Sequence, residues 1–169
     1  MADSNWHGGN YLFEKTHPDK GLSVARMMAH VTYLSQKSLQ EKFGRNLQDQ
    51  DYLSFQFKTD FQVESYLHYQ GSNFVKRFDA NSYLYLSKAT DYFDLQRDHG
   101  GKLFKAFDHK IKPKFCVISF SDDWLFPPTE SKKLIKSLIS VNCAVSSVII
   151  NTSSGHDSFL LKNEILQDS

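Results

Sequence analysis

The chain has 169 residues, 40% of them hydrophobic and 14% aromatic, within the length of one domain and ample for a packed core. A net charge of +1, with acids and bases interspersed, leaves no basic footprint for nucleic acid. No apolar stretch approaches the roughly 20 residues of a membrane span, and the opening MADSNWHGGNYLFEK lacks the basic start and apolar centre of a signal peptide, so a cytoplasmic location is expected.

Residues 1–20 are rich in Gly, Asn, Asp, His and Pro and read as a connecting loop. From Gly21 the pattern turns helical: Leu22, Ala25 and Met28, with Val24, Met27 and Val31, predict that GLSVARMMAHVTYLSQ is a helix buried on much of its circumference. SLQEKFG reads as a short helix closed by Gly44, and NLQDQDYLSFQFKT as a loop. Two further helices are predicted over residues 61–74, notched by Gly71, and 80–95, capped by Asp79 or Asn81. Their aromatics, Tyr66, Tyr69, Tyr83, Tyr85, Tyr92 and Phe93, read as core or packing interface.

After Gly100-Gly101 the period changes. FCVISF (115–120) is a continuous apolar run of the kind buried on both faces of a sheet. TESKKLIKSLIS follows as a helix with Thr129 as its cap, then SSVII (146–150) as a second buried strand, then a closing helix over 157–165. Strand, helix, strand in this length is a βαβ unit. Cys116 inside the first strand and Cys143 before the second read as buried thiols, and no HxxxH, HExxH or CxxC spacing offers a metal site.

In open α/β sheets functional residues lie beyond the carboxyl ends of strands. Asp123 falls three residues after the first strand and His156 six after the second. An acid and then a histidine, separated by one crossover, match the last two members of an α/β-hydrolase triad, whose chain order is nucleophile, acid, histidine. The acid would fix the imidazole tautomer and stabilise the imidazolium formed as the base takes a proton. An Asp that only caps a turn before Pro127 and a His that only opens a helix would read the same way. Asp122 competes with Asp123 for the acid role.

The nucleophile is the missing member. GLSVA (21–25) resembles a relaxed nucleophile elbow, but EKTHPDK precedes it where a strand is required, so Ser23 is assigned to a helix. Arg26 and Tyr33 lie two helical turns apart on one face. A guanidinium among Met, Ala and Val needs an anionic partner, in a structural ion pair or as a carboxylate clamp, unless it reaches solvent.

GLSVARMMAHVTYLS, LQEKFGRNLQ, FQVESYLHYQGSNFVKRFDANSYLYL, DYFDL, FSDDWLFPP and GHDSFLL together resemble the C-terminal half of the homoserine O-acetyltransferase family. The resemblance covers essentially the whole chain. It implies an α/β fold: the C-terminal part of an α/β-hydrolase core over residues 106–169, preceded by a helical lid over 21–105. It implies acetyl transfer from acetyl-CoA, a co-substrate with no further cofactor, to L-homoserine in methionine biosynthesis. Asp123 would be the triad acid and His156 the base, with Arg26 on the homoserine carboxylate, Asp157 on its ammonium and Tyr33 lining the pocket. The lid would make a homodimer contact.

The family's serine, oxyanion-hole loop and first strands would precede this chain, so the chain alone is expected to be inactive. Either a complementary N-terminal half carries the serine, or the chain is a noncatalytic oligomerisation or binding module. A homoserine O-succinyltransferase portion is the other alternative. Asp122 departs from the small polar residue usual before the acid, which leaves open which carboxylate faces the histidine.

Overall fold

The computed structural model describes residues 2–161. It divides into two compact units: Met1–Val31 with Leu39–Asp91, and Thr32–Ser38 with Tyr92–Ser169.

The first unit is helical. It contains most of α1 (Asp19–Tyr33) and of α2 (Gln36–Lys42), all of α3 (Gln62–Val75), and α4 (Ala80–Tyr92) up to Asp91. Its core joins Tyr11, Leu22, Phe74 and Ala80, with Trp6, Val75, Phe78 and Tyr83 packed around them. Gly71 explains the closeness of α3 to α1, because a Cβ there would lie 2.2 Å from Ser23 Oγ. Ser23 is inside α1 and not on a strand-to-helix turn.

Residues 1–20 are more ordered than a loop. They hold a 3-10 turn at Ser4–Gly9, and Tyr11 is 1% exposed. The Tyr11 hydroxyl donates to Asp79 Oδ1, and Asp79 Oδ2 accepts the Ser82 N–H at 2.7 Å, so Asp79 caps α4. The Tyr11 hydroxyl and then the Ser82 N–H hold the Asp79 carboxyl below its ordinary value. Asn81 instead accepts from Trp6 Nε1 at 3.0 Å and donates to the Gly9 carbonyl at 2.8 Å. Asp79→Ala removes both the cap and the tether to residue 11 and is expected to cost about 2 kcal/mol in urea unfolding. Asp79→Asn keeps an accepting oxygen for Ser82 and should cost less.

Two helical expectations need correction. The helix predicted to run from Gly21 to Gln36 stops at Tyr33, and the next begins at Gln36, because Ser35 caps the second through a Ser38 N–H to Ser35 Oγ bond of 3.0 Å. α1 is also less buried than its apolar pattern implies: Leu22 and His30 are inside, whereas Val24, Met28 and Val31 are exposed. Of the aromatics read as core or interface, Tyr69, Tyr85, Tyr92 and Phe93 are exposed.

The second unit contains α5 (Leu95–Asp98) and a parallel strand pair, β1 (Phe115–Phe120) and β2 (Val145–Ile150), joined by α6 (Pro128–Ser140). The register runs from Phe115 opposite Val145 to Phe120 opposite Ile150. α6 packs Leu134 and Leu138 with Val141, Cys143, Phe107, Phe115, Val117 and Val145. This is the βαβ unit that the period change predicts.

Its strands are not covered on both faces: Cys116 and Ile149 are exposed, so only Cys143 of the two thiols is buried. α6 starts at Pro128 after Pro127, with no side-chain cap, so Thr129 does not cap it; proline at the first helical position needs no N–H there. Over its described part the predicted closing helix is not an α-helix: residues 155–160 form a 3-10 turn and Leu161 is extended, while 162–165 lie outside the described residues. Among the described residues no helix is long and apolar enough to cross a membrane.

Candidate active site

The site lies where the two strands of the second unit end. β1 finishes on buried Ser119 and Phe120, and the chain turns immediately, with the Asp123 N–H bonded to the Phe120 carbonyl at 3.3 Å. The turn directs the Asp123 carboxylate inward, where its side chain is 6% exposed. Oδ1 accepts the backbone N–H groups of Leu125 and Phe126 at 3.0 and 2.9 Å, an Asx-type turn that uses the residues ahead of Pro127. Oδ2 is thereby left facing away from the turn and accepts a bond from His156 Nδ1 at 2.8 Å.

Burial pushes the Asp123 carboxyl up, but the Phe126 N–H, the imidazole and the Leu125 N–H together outweigh it and hold the group below its ordinary value. An ionised carboxylate only accepts, so Nδ1 carries a proton, and in the neutral imidazole the lone pair is then on Nε2. A base with its second nitrogen oriented by a buried acid is the arrangement that deprotonates a hydroxyl.

Asp122 is placed differently. Its Oδ1 is buried with no hydrogen-bond partner among the described residues, and it does not reach the histidine. The structure therefore pairs His156 with Asp123, the choice that spacing alone left open.

The imidazole sits among three aromatic rings, with centroids at 5.2 Å for Phe126, 5.5 Å for Phe159 and 5.7 Å for Tyr33. Tyr33 thus joins Asp123 and His156 in one place, and Asp157 follows in the same 3-10 turn. Arg26 belongs to the first unit, where its guanidinium lies 4.9 Å from the Phe74 ring centroid. Among the described residues no group of three or more His, Cys, Asp or Glu side chains could hold a metal ion.

Sequence reasoning missed the framework beneath the histidine. Ser121 Oγ donates to the Thr152 carbonyl at 3.2 Å and accepts the Thr152 N–H at 3.1 Å, tying the two strand-end loops together. Ser158 Oγ donates to the Gly155 carbonyl at 2.6 Å and pairs with Thr152 Oγ1 at 3.1 Å. The only trace of this in the sequence is a density of Ser and Thr that reads as an ordinary loop.

No family model matches the chain. Individual relatives do. The homoserine O-acetyltransferase of Pelagibacter ubique is 58% identical over 162 residues, covering 96% of this chain and 43% of that protein. That of Bradyrhizobium diazoefficiens is 58% identical over 161 residues, covering 95% and 40%, and that of Rhodospirillum rubrum 53% identical over 169, covering 100% and 43%. The chain therefore spans about two-fifths of the length of the curated relatives it matches.

Among solved structures, the homoserine O-acetyltransferase of Bacillus anthracis superposes with a TM-score of 0.78 at 21% identity, covering 92% of this chain and 40% of the other. Esterase E22 superposes at 0.74 with 25% identity, covering 92% and 42%. The fold is that of a partial α/β-hydrolase.

Proposed function

Because the chain belongs with the homoserine O-acetyltransferases, matching a C-terminal portion of them, we propose that it supplies the acid and the base for acetyl transfer to L-homoserine, a step of methionine biosynthesis. The observation that carries this reading is the 2.8 Å bond from His156 Nδ1 to buried Asp123. The nucleophile is a serine that these 169 residues do not include.

The chemistry runs in two steps. Serine Oγ attacks the acetyl-CoA thioester as His156 Nε2 takes its proton; the carbon–sulfur bond breaks and the proton passes to the departing thiolate. The homoserine hydroxyl then attacks the acetyl-serine carbonyl, giving its proton to Nε2, and serine Oγ leaves and takes that proton back. Asp123 stabilises the imidazolium in both steps without itself becoming protonated.

Homoserine brings a carboxylate and an ammonium. Arg26 offers a planar donor for the first, Asp157 a carboxylate for the second, and Tyr33 a wall beside the histidine. The position of Asp157, next to the base in the same 3-10 turn, supports its part.

The purified chain is expected to show no acetyltransferase activity with acetyl-CoA and homoserine, since loss of a triad nucleophile costs on the order of 10⁶ in rate. Grafting the chain in place of the matched segment of the Pelagibacter ubique enzyme should restore turnover. A folded chimera without activity would overturn the reading, and so would robust turnover by the chain alone. In the active chimera, Arg26→Ala and Asp157→Asn should slow deacetylation by homoserine more than acetylation by acetyl-CoA, because their charges match the ends of the amino acid. Equal damage to both half-reactions would assign these residues to the fold.

A further inference from the structure

The histidine loop is held by more than its own bonds. Between α1 and α2, Ser35 is 7% exposed, and its Oγ donates to the Ser153 carbonyl while accepting the α2 cap bond from the Ser38 N–H. Ser38 Oγ donates to the same Ser153 carbonyl at 3.0 Å. A carbonyl oxygen has two lone pairs, and here both receive a hydroxyl. Two residues further on, Gly155 stands at φ +74, and a Cβ there would lie 2.5 Å from the Ser35 N and 2.7 Å from the Tyr33 O. Residues 33–38 and 153–155 are therefore in backbone contact, directly ahead of His156.

Asp123 fixes which way the imidazole faces, but one bond to Nδ1 does not determine where the ring's backbone stands. A base must be held to within about 0.5 Å of its productive position, and that demands a supporting set of bonds. The geometry points to Ser35 and Ser38 as positioning residues for His156: a pair of hydroxyl donors that pin the Ser153 carbonyl and so set the place of the imidazole. The inference rests on His156 being the base, but its test does not use catalysis.

The test is imidazole ¹⁵N spectroscopy on the 169-residue chain labelled at histidine. In the parent, the protonated Nδ1 and bare Nε2 of His156 should resonate well apart. Ser38→Ala, which leaves the Ser35 cap intact, should draw the two signals together toward the tautomer mixture of free histidine. Ser38→Thr, which keeps the hydroxyl, should restore the separation, and Ser35→Ala should collapse it further.

Circular dichroism accompanies each variant. Parent-like imidazole signals in the Ser35→Ala, Ser38→Ala double variant would overturn the proposal, as would averaged signals already present in the parent. Loss of helical content in Ser38→Ala would assign its bond to folding and overturn it too. Failure of the base assignment would appear separately, as turnover retained by His156→Ala in the grafted enzyme.

Discussion

In an enzyme made complete by grafting, His156→Ala and Asp123→Ala should each lower kcat by about 10⁴ to 10⁶, because triad members act as a unit. The double variant should be scarcely worse than either single one. Asp122→Ala should leave kcat close to that of the parent, since its carboxylate does not reach the imidazole. Steady-state kinetics on the four variants decides the matter; a crippled Asp122→Ala beside a tolerated Asp123→Ala would reverse the acid assignment.

The same pair carries a pH signature in stability. The Asp123 carboxyl titrates lower folded than its unfolded value of about 3.9. Its contribution to stability is therefore fully present above that unfolded value and is lost as pH falls through the lower folded one. Asp123→Asn should flatten this part of the acid-unfolding curve, measured by circular dichroism.

Gly155→Ala is expected to be the most damaging small substitution near the site. The residue stands at φ +74, where an L side chain is strained, and the new Cβ would lie 2.5 Å from the Ser35 nitrogen and 2.9 Å from the Leu34 carbonyl carbon. These neighbours are backbone and cannot swing aside. Left-handed strain and overpacking together should cost about 3 kcal/mol or more in unfolding free energy. The cheapest relief is a shift of the loop that carries His156, so kcat in the grafted enzyme should also fall by at least about tenfold, as a misplacement near 1 Å does. Thermal unfolding of the chain and turnover of the chimera measure the two effects independently. A Gly155→Ala variant with parent-like Tm would mean that residues 33–35 yield easily, and the close approach would carry no consequence.

The sequence by itself determined the βαβ unit and the ends of its strands, because period and β-branched content are local properties of the runs at 115–120 and 146–150. It also brought Asp123 and His156 to neighbouring loops, since one crossover between parallel strands leaves little choice of where the two carboxyl ends lie. It placed the cap of α4 at residue 79 or 81, and the structure selects Asp79 because Asn81 is occupied by Trp6 and Gly9.

Tertiary structure alone shows which of two adjacent aspartates meets the imidazole. A turn of three residues sends one carboxylate inward to two N–H groups and an imidazole, and a difference of one residue in that turn leaves no trace in composition. It also decided that Tyr11 is core and that the long apolar helix breaks at Tyr33. Periodicity reports a face that suits burial, whereas the break is set by Ser35, whose hydroxyl bonds both α2 and a carbonyl 118 residues away. Long-range bonds of that kind depend on where the chain returns in space, and for that reason the support of the histidine became visible only with the fold.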